Sequence, residues 1–237
     1  MYYWLIPLCI GIVLLGVFLY FRVKEKRFIA VIVKGLASLM FILTALVAWL
    51  CSKNPDHLFG VFVLLGLSFG LLGDVFLDIK FMDKKREFLF TSLGFISFGI
   101  GHIFFISGLF VNFFDFSANV LYIVIPLIVT LILVAVVILM EKVSPIRYGN
   151  MKPFAIVYGF VLFACVTLYM STSIQSGWKN ATVAVMAVSL ISFALSDLIL
   201  NKTYFAPNCT GPAYIISNHV IYYIAQFGIA ISLFFLS

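Results

Sequence analysis

Charged residues are scarce in this sequence: Asp, Glu, Lys and Arg together make up 10% of its 237 residues. Hydrophobic residues make up 64%, and the mean hydropathy is +1.20. A water-soluble globule has too little polar surface to enclose so much apolar material, which excludes a soluble domain as the main body of the chain. A lipid bilayer is then the solvent, and the spanning segments must satisfy their own backbone hydrogen bonds, as α-helices do.

The sequence also lacks the common motifs of disulfide, metal and nucleotide sites. Its four cysteines show no C-x-x-C spacing, so they favour neither a disulfide framework nor zinc. No H-x-x-x-H, H-E-x-x-H, G-x-G-x-x-G or P-loop motif is present, and we expect no metal and no cofactor; zinc held by histidine and aspartate is the alternative. The 15 Lys and Arg residues form no basic face, so the net charge of +6 does not indicate a nucleic-acid partner.

Eight apolar runs alternate with short polar connections. We expect one transmembrane helix from each run, and a single polytopic membrane domain over residues 1–237. The first run has no preceding positive residue and no signal-peptide cleavage site, so it is expected to be retained. The runs fall at residues 3–21, 29–51, 58–79, 88–110, 119–140, 153–173, 180–200 and 213–236.

The Lys and Arg residues are concentrated in alternate loops. Twelve of the 15 lie in the first, third, fifth and seventh connections, whereas the even connections hold only Lys53 and Lys179. Because short loops rich in Lys and Arg face the cytoplasm, both termini are predicted to be non-cytoplasmic. The remaining cation, Lys34, is expected to extend its ammonium group back toward the first loop.

A short internal repeat relates the third and seventh spans. The segment LGDVFLD around Asp74 matches LSDLILN around Asp197 in chemical type. His102 follows Asp74 by 28 residues, and Gln226 follows Asp197 by 29. With four spans in each half, the match predicts two parallel four-helix repeats related by an axis along the membrane normal. The predicted repeats span residues 3–110 and 119–236.

Two aspartates are the first candidates for chemistry. An ionisable side chain inside a span costs several kcal/mol, so Asp74 and Asp197 are expected to have a function. The repeat places them on opposite sides of one pseudo-axis, where they can share a cavity. The alternative interpretation is that each is a carboxylate near a helix end that reaches water or pairs with a loop lysine.

Further polar residues lie deeper in the fourth and eighth spans. His102 is too deep to be a loop residue, and its repeat partner Gln226 lies at a similar depth. Asn218, Tyr222 and Gln226 follow one another at intervals of four residues, which places them on one helix face. Such a polar stripe is also typical of simple helix–helix association, and this interpretation stays open.

Four segments of the third, fourth, seventh and eighth spans form a recognisable set. They are GLSFGLLGDVFL (66–77), the G-x-x-x-F-x-x-x-H pattern of Gly94, Phe98 and His102, SDLILNK (196–202) and YYIAQ (222–226). In this order they resemble the YhhN-type lysoplasmalogenase family, which includes the mammalian transmembrane lysoplasmalogenases. The resemblance covers about half of the chain, and the length and the eight-span layout agree with it.

The resemblance implies hydrolysis of the vinyl-ether bond of a lysoplasmalogen to a fatty aldehyde and a glycerophospho-ethanolamine or -choline. That reaction needs one carboxyl group as an acid and one carboxylate to stabilise positive charge and activate water. Asp74 and Asp197 fit as the catalytic pair, with the acid and the base unassigned. The candidate substrate-binding residues are His102, Tyr222, Gln226, Asn218 and Ser196.

Two other classes of function stay open at the level of sequence. Parallel repeats with intramembrane carboxylates also describe small-solute and proton-coupled transporters. A non-enzymatic lipid-binding membrane protein is the third class. The expected partners are a lysophospholipid substrate and membrane lipid, and the expected location is the bacterial cytoplasmic membrane, or the endoplasmic reticulum membrane in a eukaryote.

Overall fold

The computed structural model describes residues 2–55, 57–115, 117 and 120–237. Within these residues the chain forms eight long α-helices and no strand. All eight are long and apolar enough to cross a membrane, which confirms the prediction of an all-helical, multi-pass membrane protein. The helices are α1 (Leu5–Val23), α2 (Arg27–Leu50), α3 (Phe59–Ile79), α4 (Glu87–Asn112), α5 (Leu121–Val143), α6 (Lys152–Gln175), α7 (Ala181–Phe205) and α8 (Pro212–Ser232).

The largest difference from the predicted boundaries is at the end of α7. This helix continues to Phe205, five residues beyond the predicted end. The polar residues that follow the apolar run are part of the helix. Lys202 lies in its last turn, where a cation interacts favourably with the helix dipole. Asp197 is therefore eight residues, or about 12 Å, from the end of the helix, compared with the predicted three residues. Asn119, the predicted first residue of the second repeat, lies outside the described residues.

Helices that are adjacent in the chain pack against each other in four pairs: α1 with α2, α3 with α4, α5 with α6 and α7 with α8. Contacts of α2 with α8 and of α4 with α6 join the two halves. Helices α1 and α5 are peripheral, since only 17% of the most apolar stretch of each is buried inside the bundle. The core therefore lies among the other six helices. The exposed apolar side chains on the outside of the bundle are available to lipid.

Small residues allow α3 and α4 to approach closely. A Cβ atom added to Gly101 would lie 2.8 Å from the carbonyl oxygen of Gly66. One added to Gly73 would lie 2.7 Å from the ring of Phe98. Close approach at small residues is typical of helix pairs in membranes. Because Asp74 follows Gly73 directly, this contact holds the aspartate at a defined height against α4.

One pair of contacts between the halves is related as a repeat would require, whereas α1 and α3 also contact α8 without a counterpart of similar extent. If α1–α4 is exchanged with α5–α8, the contact of α4 with α6 becomes the contact of α8 with α2. The repeat itself stays a prediction, and it requires the halves to superpose by a rotation about the membrane normal with Asp74 on Asp197. We call the side of the bundle that carries the first, third, fifth and seventh connections the basic side.

The orientation of the bundle also stays a prediction, and reporter tags test it. Tags in the loops at Lys84 and Arg147 are expected to be cytoplasmic, because the four connections on their side of the bundle carry twelve of the 15 Lys and Arg residues. Tags at Lys179 and at the C-terminal Ser237 are expected to be external. A cytoplasmic reporter at Ser237 in a correctly inserted protein would contradict the orientation.

Candidate active site

A small polar cavity lies among α2, α3, α4, α7 and α8, near the basic side. Its volume is about 30 Å³, which is enough to hold a water molecule. We call this cavity the inner chamber. The polar side chains that line it are Lys34, Asp74, Asp197, Tyr204, Asn218, His219 and Tyr222. The two candidate aspartates, 123 residues apart in the chain, thus line a single chamber.

Asp74 is surrounded by groups that stabilise a negative charge. The residue is 2% exposed, and its Oδ1 atom lies 3.2 Å from the ammonium nitrogen of Lys34. Its Oδ2 atom accepts hydrogen bonds from the hydroxyls of Ser38, at 2.7 Å, and Tyr222, at 2.8 Å. A cation and two hydroxyl donors favour the ionised carboxylate and fix its orientation.

The polar stripe of α8 reaches Asp74 through Tyr222. The Tyr222 hydroxyl donates to Asp74 and accepts a hydrogen bond from the Gln226 amide at 2.6 Å. Gln226 is buried but does not line the inner chamber, so it acts on Asp74 only through Tyr222. Asn218 lines the chamber, and its amide donates to the backbone oxygen of Ser196 on α7 at 2.7 Å.

The structure gives Lys34 two carboxylate partners that the sequence did not predict. Its side chain is buried, and its ammonium nitrogen lies 3.2 Å from Asp74 and 3.5 Å from Asp78. Asp78 also forms a longer ion pair with Arg22, at 3.9 Å. The two carboxylates lie one turn apart on α3 and would be costly to bury unpaired, which accounts for the inward position of the ammonium group.

Asp197 has different surroundings. Its Oδ2 atom accepts a hydrogen bond from the hydroxyl of Tyr158 on α6. Of the ion pairs formed by the described residues, none involves Asp197. A carboxyl group without a counter-ion in a largely apolar site is least costly in its protonated, neutral form. The two aspartates therefore differ in partners although they match in the repeat.

His102 and Ser196 lie beside the inner chamber but do not line it. The Nδ1 atom of His102 is 2.7 Å from the backbone oxygen of Phe98, and its Nε2 atom has no hydrogen-bond partner in the described part of the chain. The imidazole packs edge-on against Phe193, with ring centroids 4.7 Å apart. The hydroxyl of Ser196 donates to the backbone oxygen of Phe193, within its own helix, at 2.7 Å.

Two further cavities adjoin the inner chamber. The first, which we call the outer polar pocket, has a volume of about 260 Å³ and shares Asn218 and His219 with the chamber. The second, the apolar cavity, has a volume of about 60 Å³ among α4, α5, α6 and α7 and shares Asp197. Leu200 and Tyr204 line all three spaces. Tyr204 belongs to the part of α7 beyond its predicted end, so this extension supplies one of the two residues that line all three spaces.

Several partners of the aspartates were missed at the level of sequence. Lys34 and Ser38 are one helical turn apart on α2, and this spacing places two polar side chains on one face of an apolar span. That signal could have identified them. Tyr158 has no comparable signal, because a single tyrosine in an apolar helix does not reveal which helix it contacts.

The described residues contain no group of three or more His, Cys, Asp or Glu side chains that could hold a metal ion. The histidines of the fourth and eighth spans each contact a backbone oxygen of their own helix, Phe98 for His102 and Ile215 for His219. The alternative of zinc held by histidine and aspartate therefore gains no support from this geometry.

Fold and site together define a class: a multi-pass helical membrane protein with two aspartates at a small polar chamber. The chain belongs to the YhhN family, whose family model matches residues 29–233. The matched range begins within α2 and includes every residue that lines the inner chamber. Comparisons with curated proteins and with solved structures found no match.

Proposed function

We propose that this protein is a lysoplasmalogenase, which hydrolyses the vinyl-ether bond of a lysophospholipid. The observation that carries the proposal is that Asp74 and Asp197 line one chamber, one with a cationic partner and the other without. The chamber adjoins a polar pocket on one side and an apolar cavity on the other, as an amphipathic substrate requires. Membership of the YhhN family is consistent with this reaction.

The reaction consists of protonation of carbon, addition of water and collapse of the resulting hemiacetal. A proton is added to the β-carbon of the vinyl ether, and the double-bond electrons form the new C–H bond. The resulting oxocarbenium ion takes up water and loses a proton to give a hemiacetal. The hemiacetal then breaks its C–O bond to release the fatty aldehyde and the glycerol hydroxyl, so the net consumption is one water molecule.

The two aspartates are suited to different steps. Asp197 has no counter-ion among its contacts and is assigned as the acid that protonates the β-carbon. The Asp74 carboxylate is stabilised by an ion pair with Lys34 and by hydrogen bonds from two hydroxyls. It is therefore assigned as the carboxylate that stabilises the oxocarbenium ion and accepts a proton from water. The inner chamber, with room for about one water molecule, lies between these groups.

The other candidate residues have more distant roles in this proposal. Asn218 lines both the inner chamber and the outer polar pocket, so it is the one best placed to contact the substrate. Tyr222 orients Asp74 directly, and Gln226 does so through Tyr222. His102 packs against Phe193 in the wall beside the chamber, and Ser196 supplies the backbone oxygen that holds Asn218.

The test is aldehyde release by the purified protein in detergent. A lysoplasmalogen with an ethanolamine or choline head group is expected to yield fatty aldehyde. The matched saturated 1-alkyl ether is expected to yield none, because it has no double bond that can be protonated. A transporter or a non-enzymatic lipid-binding protein would release no aldehyde from either lipid, and that result would contradict the proposal.

A further inference from the structure

The outer polar pocket lies at the ends of the helices on the basic side. Arg22 is in the last turn of α1, and Lys80 directly follows α3. A site at the ends of spanning helices is level with the polar head groups of bilayer lipids. The pocket volume of about 260 Å³ leaves room for a polar group much larger than the contents of the inner chamber.

Lys80 is a buried cation held against an aromatic ring. It is 5% exposed, and its ammonium nitrogen lies 3.0 Å from the ring centroid of Tyr204. Of the hydrogen bonds and ion pairs formed in the described ranges, none involves this ammonium group. Burial lowers the pKa of Lys80 to about 7, and the Glu87 carboxylate opposes that shift. The aromatic contact offsets only part of the cost of burial, so the ammonium group can still bind an anion in the pocket.

Arg22 has unused hydrogen-bonding capacity at the same pocket. Its guanidinium lies 3.8 Å from the ring centroid of Phe81, and its contact with Asp78 is long, at 3.9 Å. It donates no hydrogen bond among those that the described residues form. A guanidinium has five N–H donors in a planar arrangement that matches phosphate oxygens. Arg22 and Lys80 therefore provide the two kinds of cation that bind phosphate groups.

The charges of the pocket favour a ligand that carries both signs. Arg22, Lys80, Asp78 and Glu87 line it, and their formal charges cancel. Lys80 and Glu87 nevertheless do not form an ion pair with each other in this part of the structure. A simple anion would leave the pocket with an excess of negative charge, whereas a zwitterion would preserve the balance and satisfy both groups.

We propose that the outer polar pocket binds the zwitterionic phospho-amino-alcohol head group of a lysophospholipid. The phosphate lies between Arg22 and Lys80, and the ammonium group faces Glu87. This inference rests on the proposed function and names the head-group site of that substrate. Asp74 precedes Lys80 by six residues on α3, about 9 Å deeper, so the glycerol unit would extend from the pocket toward the inner chamber.

Binding can be tested without catalysis, by the melting temperature of the purified protein in detergent. Glycerophosphoethanolamine is expected to stabilise the wild-type protein at concentrations about tenfold lower than glycerol phosphate or inorganic phosphate. Lys80→Met should lose that stabilisation, and Lys84→Met, a change of an exposed lysine in the same connection, should keep it. Equal stabilisation by all three compounds would overturn the zwitterion assignment. An unchanged response in Lys80→Met would overturn the site.

Kinetics separate this inference from the proposed function. Lys80→Met is expected to raise KM for an ethanolamine lysoplasmalogen about tenfold, with kcat near wild type. Hydrolysis of 1-alkenylglycerol, which has the vinyl ether but no phosphate, should be unchanged. Lys80→Arg keeps the positive charge and should retain most of the affinity. If Lys80→Met lost the same activity on both substrates, the head-group role would be overturned. A wild-type protein inactive on both substrates would refute the proposed function, and the melting-temperature result would then decide the binding site by itself.

Discussion

Replacing Asp197 with asparagine is expected to lower the rate of aldehyde release by about 100-fold or more. Asparagine has nearly the same shape and can still accept the hydrogen bond from Tyr158, but it has no proton to transfer to carbon. Because Asp197 has no counter-ion among its contacts, its replacement leaves no unpaired cation, and the melting temperature should stay near that of the wild type. Rates and melting curves of purified protein measure both effects.

Asp74→Asn should cause a comparable loss of activity, for a different reason. The variant removes the carboxylate that stabilises positive charge and takes one of two carboxylate partners from Lys34. The double variant should lose much less than the product of the two single losses, because the two groups act as a unit. Asp83→Asn, in the connection after α3, is the control and should keep full activity. A folded Asp197→Asn protein with near wild-type turnover would remove Asp197 from the mechanism.

The largest expected effect on stability comes from Lys34→Met. This change leaves Asp74 and Asp78 buried without the ammonium group that lies 3.2 Å and 3.5 Å from them. Breaking a buried ion pair by removing one partner costs about 3–5 kcal/mol. We therefore expect a clear decrease in the melting temperature in detergent, which thermal unfolding monitored by circular dichroism would measure.

Two further variants determine whether the lost charge pairing is the cause. Lys179→Met replaces an exposed lysine before α7 and should melt like the wild type. Lys34→Met combined with Asp74→Asn should recover part of the loss, because Asp78, which keeps its longer ion pair with Arg22, is then the only one of the two residues that is still a carboxylate. A single Lys34→Met protein that melts at the wild-type temperature would show that the ion pairs do not stabilise the bundle.

The sequence was sufficient for the helices because hydropathy alone determines which segments can cross a bilayer. The same criterion misplaced the end of α7, since polar residues 201–203 reduce hydropathy but do not interrupt a helix. The distance of Asp197 from the helix end was underestimated for that reason. It lies about 12 Å from that end, and Lys202 in the last turn forms no ion pair with it among those of the described residues.

The sequence predicted which residues belong to the candidate site better than it predicted which residues contact each other there. Intramembrane aspartates are costly, so Asp74 and Asp197 could be selected from single spans. Their different charge environments come from α2, α6 and α8, and no spacing within α3 or α7 reveals which side chains those helices present. Lys34 is the clearest case: nothing in α2 indicates that its ammonium group lies beside two carboxylates of α3.

The most direct test of acid catalysis by the aspartate pair is hydrolysis of a lysoplasmalogen by the purified protein in D₂O. Protonation of the β-carbon would place one deuterium on the carbon next to the aldehyde group, which mass spectrometry of the trapped aldehyde detects. We expect singly deuterated aldehyde from the wild-type protein and almost none from Asp197→Asn over the same time. Aldehyde without deuterium at that carbon, or no aldehyde from a folded wild-type protein, would contradict the proposed reaction.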